Sequence, residues 1–150
     1  MKKLAQLAVC LAVAVAASGC FGYERGSSPT SPSGSTGSLL GAWASSNLVP
    51  TPSSCADFKW NITEQTGNTA KGSFSATCAG EVKLAGTAEG TINGSTIAWS
   101  AEASGSAPGL PSCRVSLRGT AEIGVTTVRV PYSGDTCLGP VSGVESLSRR

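Results

Sequence analysis

The sequence predicts an all-β domain: an antiparallel up-and-down meander of about eight strands that closes into a small barrel. Three observations predict it. From Leu39 onward, apolar side chains recur at every second position in one segment after another, the mark of antiparallel strands buried on one face. Gly, Asn, Pro and Ser punctuate these segments at regular, short spacing, as in sandwiches and barrels. No segment after the first apolar stretch has a helical period, and closing a meander of eight strands removes its exposed edges.

The strands can be taken in order. An opening strand over 40–46 carries Trp43. Next, Phe58, Trp60 and Ile62 oppose Asp57, Lys59, Asn61 and Thr63, and Phe74 and Ala76 oppose Lys71, Ser73, Ser75 and Thr77. Val82, Leu84, Gly86, Ala88, Gly90 and Ile92 alternate with Glu81, Lys83, Thr87 and Glu89. Ile97, Trp99 and Ala101 form the next inward set, followed by Val115, Leu117, Gly119, Ala121 and Ile123, then Val128, Val130 and Tyr132. A last strand covers 141–147. Asn93-Gly94 suits a two-residue type I′ loop, which pairs Gly90 with Ile97 and Ala88 with Trp99. Gly124-Val125 suits a type II′ loop, which pairs Ala121 with Val128, Gly119 with Val130 and Leu117 with Tyr132. Residues 84–89 and 117–122 echo each other as Leu-x-Gly-Thr-Ala-Glu, either by hairpin duplication or by shared strand grammar.

Ahead of this domain stand Met1-Lys2-Lys3, an apolar run over 4–17, and Ala17-Ser18-Gly19-Cys20. A positive start, an apolar stretch short of the roughly 20 residues that span a bilayer and a small-residue end make a signal peptide over 1–19. The small residues leading into Cys20 resemble the lipobox of bacterial lipoproteins. That resemblance implies that Cys20 becomes the mature N-terminus, is diacylated on sulfur and receives a further acyl chain, such as palmitate, on its amine. Several chains give lasting membrane attachment where one is marginal. Phe21 follows; in the sorting rule of such lipoproteins an Asp there retains the protein at the inner membrane, so the expected location is the outer membrane of a bacterial cell envelope. Residues 20–38 are the lipidated cysteine and a tether whose stretch from 26 to 38 is only Gly, Ser, Pro and Thr, too polar to order itself. The barrel domain is 39–150.

Of six cysteines, Cys10 leaves with the signal peptide and Cys20 takes lipid. Cys55 lies just before one strand and Cys78 ends its neighbour; Cys113 and Cys137 bracket a later hairpin. The expected bridges are therefore Cys55–Cys78 and Cys113–Cys137, with a turn at Cys55 and a bulge near Gly134-Asp135 correcting a parity that is off by one. Zinc held by the four cysteines is the sharper alternative, but no Cys-x-x-Cys spacing exists, and the sequence implies no metal and no cofactor.

The chain has no histidine, which removes Ser-His-Asp and Cys-His mechanisms and His-ligated zinc. Lys2 and Lys3 account for the formal charge of +2; without them acids and bases balance, and the basic stripe that nucleic acid requires is missing. Asp57, Lys59, Lys71, Glu81, Lys83, Glu89, Glu102, Arg114, Arg118, Glu122 and Arg129 take the outward parity, Glu64 takes the inward parity at a strand end, and Asp135 and Glu145 are left undecided. An essentially uncharged interior holds no titratable pair for acid–base catalysis, so the expected protein is not an enzyme.

Phe58, Trp60, Phe74, Trp99 and Tyr132 share the interior with small residues. They are either core rings for which those small residues make room, or the walls of an apolar ligand cavity. Gly41-Ala42-Trp43 on the first strand and Arg149-Arg150 at the end are similar to lipocalin and avidin-like barrels; in lipocalins an Arg from the last strand covers that Trp. Two roles follow as expectations. The first is a non-catalytic module that binds an envelope or secreted protein through the Pro-rich stretches 47–54 and 104–111, as in the small barrels that inhibit proteases or lysozyme. The second is a lipocalin-like carrier of a small apolar ligand.

Overall fold

The computed structural model describes residues 37–150. The signal peptide, Cys20 and all but the end of the tether lie outside the described residues. Eight strands follow one another around a closed barrel, each antiparallel to its sequence neighbours, and β1 also pairs with β8. They are β1 Gly41–Ser45, β2 Cys55–Thr66, β3 Thr69–Cys78, β4 Val82–Asn93, β5 Thr96–Ala107, β6 Leu110–Ile123, β7 Thr127–Thr136 and β8 Gly139–Arg149. No described segment is helical.

The inward faces follow the alternation in the sequence, but both expected hairpin registers are displaced by two residues. Asn93 pairs with Thr96 and Gly94-Ser95 make the turn, so Gly90 faces Trp99 and Ala88 faces Ala101. Gly94 takes the positive φ of +59° one turn position earlier than in an Asn93-Gly94 loop. Ile123 pairs with Val128 and Leu117 with Gly134, with the Gly124 N–H donating to Thr127 O at 2.8 Å. A shift of two keeps every side chain on its face, which is why parity alone could not locate the turn.

Bulges sit in β2, and an irregularity lies near the tip of the β5–β6 hairpin between Gly105 and Ala107, but none lies at Gly134-Asp135. Between the pairs Ala56–Thr77 and Lys59–Ser75 the strand carries an extra residue, and Asp57 has φ +52°. This bulge brings Cys55 onto the face of Phe58, directly opposite Cys78, and resolves the off-by-one parity of that bridge, whereas Cys137 escapes strand parity by lying in the turn after β7. A second irregularity at Thr63 turns Glu64 outward to pair with Lys71 and turns Gln65 inward opposite Ala70. Residues 104–111, expected as a Pro-rich contact surface, are the ends of β5 and β6 around a turn at 108–109. Those stretches alternate buried and exposed side chains on β5, so they extend the ladder.

An up-and-down barrel sorts its connections into two ends. Loop 46–54 and the turns at 79–81, 108–109 and 137–138 share one, the loop end. The turns at 67–68, 94–95 and 124–126, the chain leading into β1, and the C-terminus share the other, the tether end. Both disulfides, Cys55–Cys78 and Cys113–Cys137, staple the loop end. At the tether end Leu39 is 2% exposed and closes the barrel. The Arg149 guanidinium lies 4.8 Å from the centre of the Trp43 ring, a cation–π contact.

Candidate functional site

The interior is built around one chain of rings. Tyr132 lies 5.0 Å from Phe58, Phe58 5.5 Å from Phe74, Phe74 6.5 Å from Trp99, and Trp99 5.2 Å from Trp60, centroid to centroid. All five rings singled out in the sequence therefore meet, and none is more than 7% exposed. Small residues stand beside them. Trp99 is flanked by Gly90 on β4 and Gly119 on β6. A β-carbon at Gly119 would collide with the Pro131 carbonyl, at a gap in the β6–β7 ladder where Pro131 has no N–H to give. Gly143 likewise makes room for the Tyr132 hydroxyl, 2.5 Å from where its β-carbon would be. What the rings leave open is a cavity of about 30 Å³ beside Trp60 and Trp99, the size of one or two waters.

The interior is not uncharged. Glu145 on β8 points inward and is 5% exposed, while Val144 beside it is 49% exposed. This corrects the expectation of an apolar, charge-free lumen. The signal was present: Val141 and Leu147 are both inward, and residue 145 shares their parity. The Glu145 carboxylate accepts a hydrogen bond from Asn47 Nδ2 at 2.8 Å. Asn47 O in turn accepts from Asp57 N at 2.8 Å and from Ser45 Oγ at 3.1 Å, and Ser45 Oγ accepts from Phe58 N at 3.0 Å. The Tyr132 hydroxyl accepts from Cys55 N at 2.6 Å and donates to Cys55 O at 2.9 Å. Burial pushes this phenol above its ordinary pKa; the Cys55 hydrogen bond opposes the rise, and the Glu145 charge adds to it.

These groups fix the loop end. A single carboxylate and a phenol already bonded to backbone offer no nucleophile–base pair. Among the described residues no three His, Cys, Asp or Glu side chains cluster as a metal site. Their effect is to hold loop 46–54. Farther along, Ser54 N donates to Thr51 O at 3.2 Å, Ser142 N to Ser53 O at 3.0 Å and Ala79 N to Ser54 O at 2.9 Å. The held loop displays Leu48 at 60% exposure and Val49 at 79%, and the same end displays Leu110 and Leu138. Of the two stretches proposed as contact surfaces, 47–54 is a loop at this end, and 104–111 contributes only its hairpin tip.

Compared with protein family models, curated proteins and solved structures, the chain matches none.

Proposed function

We propose that this chain is a lipoprotein of the bacterial cell envelope, anchored through Cys20 in the outer membrane, whose barrel is a non-catalytic module for binding another protein. The observation that carries the reading is the polarity of the barrel. The chain from the tether enters at one end, and a hydrogen-bonded, disulfide-stapled loop holds Leu48 and Val49 in solvent at the other. Exposed apolar side chains on a rigid support suit protein recognition, because little conformational freedom is lost on binding. The neutral balance of the domain makes nucleic acid a poor partner.

Two experiments test the two halves of this reading. Cys20→Ala is expected to move the protein from the membrane to the soluble fraction; continued partitioning with detergent contradicts the anchor. Residues 37–150, immobilised and exposed to envelope proteins, are expected to retain a partner whose affinity falls at least about tenfold, or 1.4 kcal/mol, with Leu48→Asp. A partner held equally well by Leu48→Asp contradicts the loop as the contact surface.

The rival reading, a carrier of a small apolar ligand, requires space. Ligand pockets usually measure about 300–1,000 Å³, against a cavity of about 30 Å³ here. The rings Phe58, Trp60, Phe74, Trp99 and Tyr132 accordingly serve as core in the closed barrel.

A further inference from the structure

The two disulfides stand in different surroundings. Cys55 and Cys78 lie directly opposite each other in the β2–β3 ladder, and both are 0% exposed. The Tyr132 hydroxyl holds Cys55 on both sides, accepting from its N–H and donating to its carbonyl. A reductant reaches such a bond only when the strands around it open. Cys137, by contrast, lies in the turn at 137–138 and is exposed, while Cys113 is half-buried. Cys113 packs against the core, and a β-carbon at Gly105, its partner on β5, would stand 3.3 Å from its Sγ. Cys137 is therefore the side of this bond that is open to attack.

What the exposed bridge joins is also different. The β6–β7 ladder ends at Ser116–Asp135, so the tip of the β5–β6 hairpin and the turn between β7 and β8 have no ladder pair between them. Cys113–Cys137 crosses that interval. Each tip is complete without it. Ala107 pairs with Leu110 in one and Thr136 with Gly139 in the other. Thr136 Oγ1 donates to Gly139 O at 2.9 Å and accepts from Leu138 N at 3.2 Å. Leu110 and Leu138, 38% and 49% exposed, sit on these two tips. The bridge thus ties two apolar side chains together without belonging to the ladder that closes the barrel.

We infer that Cys113–Cys137 is a modification site for dithiol reductants, a bond opened and closed by thiol–disulfide exchange while Cys55–Cys78 keeps the barrel shut. One thiolate of the dithiol attacks Cys137 Sγ; the new bond is a mixed disulfide, and Cys113 Sγ leaves as the thiolate. The second thiolate then attacks the reductant sulfur of the mixed disulfide and releases Cys137. Two electrons and two protons pass from the dithiol to the protein, which ends with two thiols, and the reductant ends as a disulfide. Reduction unties the Leu110 tip from the Leu138 turn. Leu48 and Val49 stay on a loop tied through Asn47 to Glu145. The bearing of this on partner recognition rests on the protein-binding reading; the exchange itself does not.

The test uses the oxidised full chain in detergent, without denaturant, and dithiothreitol as the dithiol. Samples are alkylated with iodoacetamide over time and digested with trypsin, which puts Cys55, Cys78, Cys113 and Cys137 in four separate peptides. Cys113 and Cys137 are expected to be alkylated together, at least about a hundredfold faster than Cys55 and Cys78. Equal rates, Cys55–Cys78 first, or no reduction of either bridge until denaturant is added would overturn the proposal. After the fast step, hydrogen exchange is expected to quicken at 110–115 and 137–139 and to stay unchanged at 55–58 and 74–78. The double variant Cys113→Ser/Cys137→Ser should show the same pattern in the absence of dithiothreitol. Faster exchange throughout the barrel in either sample, or no change at the two tips, would overturn the role of the bridge. None of these readouts needs a partner, so a failed search for one leaves this inference standing, and equal reduction rates leave the protein-binding reading standing.

Discussion

The two ends of the barrel solve closure differently. At the loop end, two disulfides and the buried Ser45–Asn47–Glu145 hydrogen bonds fix the connections, and Leu48, Val49, Leu110 and Leu138 stand in solvent. At the tether end there is no disulfide among the described residues, the turns are short, and Leu39, held by Gln65 and Trp43 beside a Leu40 carbonyl bonded to Arg149, fills the opening. The reinforced end holds four apolar side chains in solvent, against Leu40 and Val125 at the tether end. A loop that displays leucine and valine needs its backbone fixed from below, whereas an end that only needs a stopper can rely on side chains.

The comparison can be broken most strongly through its covalent half. Replacing Cys55 and Cys78 together by Ser is expected to cost about 3 kcal/mol for a loop of this length, measured by urea unfolding of the oxidised proteins. Gly119→Val, which drives a side chain into Pro131 O and toward Trp99 Nε1, is expected to cost about 1–3 kcal/mol and to shift tryptophan emission.

Tyr132→Phe leaves the Cys55 N–H and carbonyl without the hydroxyl and is expected to cost about 1 kcal/mol. It has a pH signature as well. Burial raises the folded pKa of the phenol above its unfolded value, so folding favours the neutral form. That contribution is complete below about pH 10 and is lost as pH rises through the raised value; the Phe variant should lack this alkaline decline. The smallest effects are at the surface. Val49→Asp at the loop end and Val125→Asp at the tether end should each change stability by no more than about 0.5 kcal/mol, so a difference between them in partner binding reports on recognition alone.

Much of this was legible in the sequence, because period two survives in almost every strand. The inward sets from Phe58 to Tyr132, the closed eight-strand meander and both cysteine pairs could be read from alternation and spacing. Register could not be read, since moving the turn from Asn93-Gly94 to Gly94-Ser95 changes every partner and no face. The β2 bulges were hidden because Asp57 adopts positive φ without a glycine to announce it, and Glu64 and Gln65 exchange faces through Thr63. Glu145 was missed because hydropathy argues for Val144 inside, while the strand's own phase puts the carboxylate there. The loop's exposure of Leu48 and Val49 depends on a hydrogen bond to Glu145 and on hydrogen bonds from the Asp57 and Ser142 amides, contacts remote in sequence that no local pattern encodes.

The most direct test of the account is site-specific photo-crosslinking in living cells. A photoreactive residue is placed at position 49 in one strain and at position 125, also fully in solvent, in another. The account predicts a discrete crosslinked protein species from position 49 and none of the same mass from position 125. The same species from both positions, or from 125 alone, would contradict a binding surface at the loop end.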